Sequence, residues 1–235
     1  MDIGVVIPAA GRGKRMQADR NKMFLQLAGH PVLRHTVNIF YGHCTINNII
    51  LVAAEDEIDL CREKIVEKYG FHGVDVVRGG STRRQSVFSG LQALKNVDSV
   101  IVHDGARPLL QKKVLQKVIE SLKKYDAVTA GRNLKDAVKV RDENNFVRES
   151  LDREKLVAVS TPQAFDYKLL MSAHKQVSCD KKIYDDASLV EELGERVKII
   201  EDTYNNIKIT TPMDLEVAEY IFANRREKDE NGNWF

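Results

Sequence analysis

A glycine-rich segment near the N-terminus has the composition of a loop that binds phosphate. It reads Ala9-Ala10-Gly11-Arg12-Gly13-Lys14-Arg15-Met16 and directly follows the apolar residues 3–8. Small residues let the backbone approach a ligand, and consecutive N–H groups in such a turn can form a nest for an anion. Arg15 and Lys22 add positive charge. The segment matches neither a Walker A loop nor the dinucleotide-binding fingerprint, so an ordinary glycine-rich turn stays open as an interpretation.

A second group of residues, His103-Asp104-Gly105-Ala106-Arg107-Pro108, follows another apolar run. An aspartate at the end of a parallel strand lies at the sheet edge where α/β proteins bind ligands. Asp104 could hold a divalent cation that binds phosphate oxygens, and Arg107 could grip a phosphate with two hydrogen bonds. A turn aspartate paired with an arginine explains the pattern equally well, and His103 fits a hydrogen-bonded structural histidine better than a base.

Three further segments carry polar residues whose chemistry is less specific. Gly79 and Gly80 precede a Ser/Thr-rich helix start, which allows close backbone contact with a ring but also fits a plain capped helix. The other two segments are Tyr184-Asp185-Asp186 and Tyr204-Asn205-Asn206-Ile207-Lys208. Lys208 taken alone is typical of a solvated surface lysine.

The elements that must position these residues alternate between apolar runs and longer amphipathic segments. Strands are predicted at Ile3–Pro8, Asn48–Ala53, Val74–Arg78, Ser99–His103, Ala127–Ala130 and Val197–Ile200. Helices are predicted at Val32–Tyr41, Glu57–Tyr69, Arg83–Leu94, Lys112–Lys124, Asp186–Leu193 and Pro212–Asn224. Continuously apolar strands such as 49–53 are covered on both faces, which is typical of a mostly parallel sheet. The alternation therefore predicts a doubly wound α/β fold.

One stretch, residues 134–160, departs from this alternation. It contains two short strand-like runs around the polar turn Arg141-Asp142-Glu143-Asn144-Asn145, which predicts a hairpin that leaves the main sheet as a lid or as an arm reaching a second subunit. Residues 1–225 are expected to form one domain. Residues 226–235 are expected to form a polar tail that frays, despite Trp234-Phe235 at its end.

Composition narrows the class of protein. The chain has 235 residues, 43% of them hydrophobic and 30% charged, and a formal net charge of +2. No sweeping basic face is expected, so nucleic acid is not the expected partner. No apolar run reaches the length of a membrane helix, and the start does not fit a signal peptide. The three scattered cysteines predict neither a disulfide framework nor a zinc site, which makes the cytoplasm the expected location.

Several of these motifs occur together in the order of one enzyme family. They are the glycine-rich segment with Lys22, Asp104-Gly105-Ala106-Arg107-Pro108, Thr161-Pro162-Gln163, Asp185-Asp186-Ala187-Ser188 and Asn206-Ile207-Lys208. With this set the chain resembles the 2-C-methyl-D-erythritol 4-phosphate cytidylyltransferases over about residues 3–220. The resemblance implies a glycosyltransferase-A-like nucleotidyltransferase fold and a homodimer that exchanges its arms. It also implies a Mg²⁺-dependent reaction of CTP with methylerythritol phosphate that gives the CDP-alcohol and pyrophosphate.

The resemblance also assigns roles to individual positions. The nucleotide and its phosphates would be held by Ala9, Ala10, Gly11 and Gly13, and the cytosine would lie along Gly80, Ser81 and Ser86. Arg15 and Lys22 would stabilise the transition state, and Asp104 would sit by the Mg²⁺ and the ribose. The methylerythritol phosphate would be surrounded by Arg107, Arg153, Thr161 and Lys208, with Arg153 and Thr161 coming from the partner subunit.

The chain departs from the family pattern at three of the positions compared. Ala137 replaces a threonine that helps to bind the substrate phosphate, Ser81 replaces an aspartate, and Val157 replaces a tryptophan at the base of the arm. These changes bear on substrate affinity more than on reaction class. The rival interpretations are a ribitol-5-phosphate cytidylyltransferase, a sugar-1-phosphate nucleotidyltransferase and a non-catalytic nucleotide-binding module.

Overall fold

A computed structural model describes residues 1–11, 21–178 and 180–229. Gly13 and Arg15, which the sequence analysis assigns to the nucleotide and the transition state, lie outside the described residues, as does the end of the predicted polar tail. Among the described residues no helix is both long enough and apolar enough to cross a membrane.

Strands in the described part of the chain form one large sheet and two small ones. They are β1 (Ile3–Pro8), β2 (Gln26–Leu27), β3 (His30–Pro31), β4 (Ile46–Ala53), β5 (Val74–Arg78), β6 (Ser99–Val102), β7 (Ala127–Asn133), β8 (Val138–Arg141), β9 (Val147–Leu151), β10 (Val157–Asp166) and β11 (Lys198–Glu201). The large sheet has seven strands in the order β11-β7-β10-β6-β1-β4-β5. All six predicted strands are present, with ends that differ by a few residues.

The sheet is parallel except for β10, which runs antiparallel to both of its neighbours, β6 and β7. Consequently β7 has the same direction as β1 and β6, and the carboxyl ends of all three reach the same edge of the sheet. The sequence analysis missed β10. Its pairing with β7 shifts register between Val159 and Gln163, where Pro162 has no N–H to donate to a ladder.

Helices cover both faces of the large sheet. They are α1 (Val32–Phe40), α2 (Ile58–Cys61) with a π-helical continuation (Arg62–Glu67), α3 (Arg83–Ala93), α4 (Lys112–Ser121), α5 (Tyr167–Gln176), α6 (Asp186–Glu191) and α7 (Pro212–Asp229). Buried side chains of α1, α2 and α4 pack on one face, and those of α3, α5 and α6 pack on the other. This arrangement confirms the doubly wound α/β prediction, although α5 was not predicted and α7 runs beyond its predicted end at Asn224.

The predicted hairpin is present as β8 and β9, which pair only with each other. Its tip is exposed, with Phe146 71% and Val147 65% accessible. The excursion is shorter than the predicted residues 134–160, because Val157 and the residues after it belong to β10 and pair with β7 in the large sheet. The predicted limit was placed too far along the chain because β10 itself was not recognised.

Helix α3 lies so close to the sheet that one of its positions has no room for a side chain. A Cβ on Gly90 would lie 2.5 Å from Val6 Cγ1 and 2.9 Å from Val52 Cγ2. Both contacts are with buried residues of strands β1 and β4, so the methyl group could be accommodated only if the helix moved away from the sheet.

We therefore expect Gly90→Ala to destabilise the protein although alanine favours helix. Overpacking of this kind costs about 1–3 kcal/mol, and each kcal/mol lowers Tm by roughly 2–4 °C in a chain of this size. Urea unfolding measures the change. Gln92→Ala, at an exposed position of the same helix, is the control and should change stability by less than about 0.5 kcal/mol. Equal stability of the Gly90 variant and the parent would contradict this packing argument.

Candidate active site

A cavity of about 370 Å³ opens at the carboxyl edge of the large sheet, beside the start of α3. This volume is within the range of small-molecule sites, about 300–1,000 Å³. Residues from every predicted motif group except those of β10 and α6 line it: Pro8, Ala10, Gly11, Lys22, Met23, Gly80, Ser81, Thr82, Arg83, Ser86, Asp104, Gly105, Ala106, Lys208 and Thr210. The fold thus brings together segments that are distant in sequence, as the sheet-edge argument predicted.

Asp104 lies in this cavity with its carboxylate surrounded by cations. Its Oδ1 accepts a hydrogen bond from Arg83 Nε at 3.0 Å, and its Oδ2 lies 2.8 Å from Lys208 Nζ and 3.6 Å from Arg107 Nε. Burial by itself would raise the pKa of this carboxyl, but the charges of Arg83, Lys208 and Arg107 outweigh it and hold the pKa well below its usual range. Asp104 is therefore ionised throughout the physiological pH range.

Arg83 is a site residue that the sequence analysis did not single out. Besides Asp104, it binds Asp186 through a contact of 2.8 Å between its Nη1 and Oδ2 of the carboxylate. Asp186 is 1% exposed and begins α6. The sequence offered only a weak signal. An arginine in the first turn of a helix is disfavoured by the helix dipole, but of the two arginines there only Arg83 is held by carboxylates, whereas Arg84 donates to backbone carbonyls.

Gln163 connects this ion pair to the centre of the sheet. Its side-chain oxygen accepts the backbone N–H groups of Asp186 and Ala187, at 3.0 and 3.2 Å. Its side-chain nitrogen donates to Thr129 and Asp185. Gln163 is fully buried on β10, so it fixes the start of α6 and, through Asp186, the position of Arg83.

Thr161 positions the backbone of Asp104 from within the same chain. Its hydroxyl oxygen accepts the Asp104 N–H at 3.0 Å and lies 3.2 Å from His103 Nδ1. His103 Nε2 lies 3.0 Å from the Arg107 carbonyl oxygen, which can only accept, so the proton is on Nε2 and Nδ1 accepts from Thr161. The resemblance implied that Thr161 reaches the site from a partner subunit; the structure instead buries it against its own chain.

His103 is a neutral structural residue, as the sequence analysis favoured. It is completely buried. Burial lowers its pKa to about 4, although the Arg107 carbonyl and the Asp104 charge act in the opposite direction. With both ring nitrogens already hydrogen-bonded, His103 does not provide a base to the cavity.

The two glycine segments meet at a point where side chains would collide. A Cβ on Gly79 would lie 2.8 Å from the Ala10 side chain and 2.8 Å from Ser86 Oγ, whereas a Cβ on Gly11 would meet no described atom within 4 Å. Gly80 donates its N–H to Ser86 Oγ at 3.2 Å. Ala9, in contrast, is buried and donates to Val52 in the sheet, so it supports the loop and does not line the cavity.

Lys22 is largely buried, with 8% of its surface exposed. Its Nζ donates to the Ile209 carbonyl oxygen at 2.8 Å, which joins the turn after the glycine-rich loop to the segment that carries Lys208. Asn21 anchors this turn by donating to Glu57 at 2.6 Å and by accepting the Met23 N–H. Lys22 thus presents a fixed positive charge at the wall of the cavity.

Arg107 and Arg153 were predicted to surround the acceptor substrate, but neither residue lines the cavity. Arg107 is adjacent, because it contacts Asp104 and donates to the Asn206 carbonyl oxygen at 2.7 Å. Arg153 follows the hairpin and donates to the Lys135 carbonyl oxygen at 2.6 Å. Within one chain Arg153 is therefore held at the base of the hairpin.

A doubly wound sheet with a cation-rich cavity at its carboxyl edge is typical of α/β proteins that bind phosphorylated ligands. The family model for 2-C-methyl-D-erythritol 4-phosphate cytidylyltransferase matches residues 3–224. Proteins of that name from Alkaliphilus oremlandii and Clostridium novyi are 44% and 43% identical, over 95% and 93% of this chain and 96% of each relative. The crystal structure of 4-diphosphocytidyl-2C-methyl-D-erythritol synthase from Anaerococcus prevotii superposes with a TM-score of 0.84 at 34% identity, and covers 94% of this chain and 96% of that one.

The chain therefore belongs to the 2-C-methyl-D-erythritol 4-phosphate cytidylyltransferase family. The sequence-based resemblance is confirmed, and so is the predicted class of enzyme. None of the comparisons favours the ribitol-phosphate alternative.

The ion pair between Arg83 and Asp186 leads to a pH-dependent prediction. Burial raises the pKa of the Asp186 carboxyl even with Arg83 in place, so Arg83→Gln should raise it further. The folded variant would then bind a proton that the unfolded chain releases, and its stability would rise as the pH falls from 8 to 5. We expect a loss of about 3 kcal/mol relative to the parent at pH 8 and a smaller loss at pH 5, measured by urea unfolding.

Arg84→Gln is the matched control for this prediction. Among the described residues Arg84 donates only to the backbone carbonyls of His174, Val177 and Ser178 at the end of α5, so its loss leaves none of their carboxylates unpaired. Besides burial, the Arg84 charge helps to lower the pKa of His174, so this variant should show the part of the pH dependence that comes from His174 and lack the part that comes from Asp186. If Arg83→Gln lowers the free energy of unfolding equally at pH 8 and pH 5, the charge of Asp186 does not require Arg83 and the prediction is wrong.

Proposed function

We propose that this cavity binds CTP and methylerythritol phosphate and transfers CMP to the latter, giving 4-CDP-2-C-methyl-D-erythritol and pyrophosphate. The observation that carries the proposal is the ring of Arg83, Arg107 and Lys208 around Asp104 at the cavity wall. These three cations face two carboxylates, Asp104 and the Asp186 that also binds Arg83, which leaves positive charge available to phosphates. Membership of the cytidylyltransferase family supplies the identity of both substrates.

The reaction needs positioning and charge more than it needs a base. A phosphate oxygen of the acceptor attacks the α-phosphorus of CTP in line with the leaving pyrophosphate, and this oxygen is already anionic near neutral pH. The obstacle is the approach of two anions and the charge that spreads over the α-phosphate oxygens. Preorganised cations address both. Lys22, held at 2.8 Å by the Ile209 carbonyl oxygen, supplies fixed charge in the cavity. Lys208, 2.8 Å from Asp104, supplies a charge that can turn towards a phosphate.

The two substrates can be assigned to different parts of the site. The loop with Ala10 and Gly11 would take the triphosphate, since a Cβ at Gly11 would meet no atom of the described residues within 4 Å. Gly80, Ser81 and Ser86 would lie along the cytosine. Arg107 and Lys208 would face the acceptor phosphate, and Ala9 and Thr161 would act by supporting the loop and Asp104. Gly13 and Arg15 retain the phosphate and transition-state roles that the resemblance implies.

Mg²⁺ fits this site only as an ion that arrives with the nucleotide. Among the described residues no group of three or more His, Cys, Asp or Glu side chains could hold a metal. Among the described residues Asp104 is the one carboxylate in the cavity lining, and a single carboxylate with substrate phosphates is a usual Mg²⁺ environment. Bound there, Mg²⁺ would neutralise charge on the phosphate oxygens. Of the three cations around Asp104, Lys208 is the one that Mg²⁺ would displace most readily, because its side chain is 38% exposed.

The same proposal extends to assembly and location. We propose that residues 1–225 act as one cytidylyltransferase domain and that two chains form a homodimer through their exchanged hairpins. The exposed apolar side chains of Phe146 and Val147 at the hairpin tip support this assembly. The proposed location is the cytoplasm, supported by Cys44 and Cys61, both of which are free thiols.

Pyrophosphate release tests the proposed reaction directly. Purified protein is incubated with CTP and Mg²⁺ together with methylerythritol phosphate, with ribitol 5-phosphate, or with no acceptor. We expect release only with methylerythritol phosphate. Release only with ribitol 5-phosphate would retain the fold and the reaction type but would contradict the proposed acceptor.

Loss of a cation assigned to the transition state should lower turnover. We expect Lys22→Ala and Arg15→Ala each to lower kcat by roughly 10²–10³-fold, by analogy with the loss of one preorganised donor to a developing charge. Lys117→Ala, at an exposed position of α4, is the control and should leave kcat unchanged. Near-normal turnover in both site variants would refute the assigned roles.

Metal binding should depend on the nucleotide. We expect millimolar Mg²⁺ alone to leave Tm unchanged, and Mg²⁺ with CTP to raise Tm more than CTP alone, since a ligand stabilises only what it binds. Thermal unfolding with MgCl₂, compared with NaCl of matched ionic strength, measures this. An equal rise with Mg²⁺ in the absence of CTP would mean that the protein holds the metal by itself.

A further inference from the structure

Arg132 lies at the same sheet edge as the cavity, although the proposed mechanism does not use it. It is near the carboxyl end of β7, and β7 points in the same direction as β6, the strand that leads to Asp104. In the antiparallel pair of β7 and β10, Arg132 lies opposite Ala158. The topology therefore places a third arginine close to the acceptor side of the site, in addition to Arg83 and Arg107.

The guanidinium of Arg132 is incompletely satisfied within the chain. It lies 5.9 Å from the centre of the Tyr204 ring, and its Nη1 atom is buried without a hydrogen-bond partner among the described residues. The hydroxyl of Thr203 is likewise buried with no hydrogen-bond partner in the described part of the chain. It lies next to the end of β7, because the N–H of the preceding Asp202 donates to the Gly131 carbonyl oxygen at 2.7 Å. Buried donors are nearly always paired, so two such donors on neighbouring residues indicate a position where an acceptor is bound.

The charges around Arg132 favour an anion as that acceptor. Asp202 is the nearby carboxylate, but it already accepts hydrogen bonds from Ser160, Asn206 and the Thr203 N–H, at 2.5, 2.7 and 2.7 Å. Asp104 is shared among three cations. Lys135, whose Nζ lies 3.8 Å from the Tyr204 ring centre, adds a further positive charge beside Arg132.

Arg107 lies within electrostatic reach of Arg132. Burial is the main cause that lowers the pKa of its guanidinium, Asp104 and Asp202 act in the opposite direction, and the charge of Arg132 adds a smaller lowering effect. Two arginines within electrostatic reach of each other repel unless an anion lies between them. A phosphate group, with several acceptor oxygens, suits two guanidinium groups particularly well.

We propose that Arg132 is a specificity-determining residue that, together with Arg107, binds the phosphate group of the acceptor substrate. The inference rests on the proposed function, since it assigns a residue to the acceptor of that reaction. Arg132 acts from the same chain as Asp104. Thr203 donates its hydroxyl to the same phosphate. A neutral polyol would not engage this pair, so the site selects a phosphorylated alcohol.

The test compares Arg132→Gln with the parent enzyme. We expect KM for methylerythritol phosphate to rise about 10- to 100-fold, as for the loss of a charge-assisted hydrogen bond, with kcat at saturation and KM for CTP nearly unchanged. Arg132→Lys should recover part of the affinity because it keeps the charge. Arg196→Gln, at an exposed position just before β11, is the matched control and should leave all three constants unchanged.

A second measurement does not depend on turnover. Inorganic phosphate should raise Tm of the parent and of Arg196→Gln, and should raise it much less in Arg132→Gln. An unchanged phosphate response, an unchanged acceptor KM, or an equal rise in KM for CTP would overturn the inference. If the parent uses only a different phosphorylated acceptor, the proposed function is wrong, but the same comparison with that acceptor and with phosphate still tests Arg132.

Discussion

The buried carboxylate of Asp104 is the contact on which the rest of the site depends. It joins Arg83 at the start of α3, Arg107 after β6 and Lys208 before α7, three segments that are far apart in the sequence. Without a negative charge at this point the three cations would repel one another. The Thr161 hydroxyl fixes the backbone of Asp104, so the geometry of the ring also depends on β10.

Strand β10 explains why a mostly parallel sheet can form this site. It is inserted in the opposite direction between β6 and β7, and its first residues therefore lie at the edge where the neighbouring strands end. Thr161 supports Asp104 and Gln163 supports Asp186 from positions two residues apart in the same strand. A parallel strand at this position would place its first residues at the other edge, and both carboxylates would lose their support.

The part of the structure that could be predicted from the sequence is the part determined locally. Apolar runs such as residues 49–53 identify the parallel strands, and glycines with charged residues at the strand ends identify the cavity. Strand β10 was missed because serine, threonine, proline and glutamine occur within it, and its conformation comes from its partners. Arg83 and Arg132 were missed for a related reason, since their ion pairs and electrostatic neighbours join positions distant in sequence.

The cations of the site differ in how freely they can turn from the protein to a substrate. Arg83 is held by Asp104 and by the almost fully buried Asp186, so a phosphate cannot draw it away without leaving a buried carboxylate unpaired. Lys208 has one carboxylate partner among the described residues and a partly exposed side chain. It can move towards a phosphate while Arg83 and Arg107 continue to neutralise Asp104. Asp186 thus makes Arg83 a fixed cation, whereas Lys208 stays mobile. The site can therefore bind an anion through Lys208 and keep the ion pairs of Arg83.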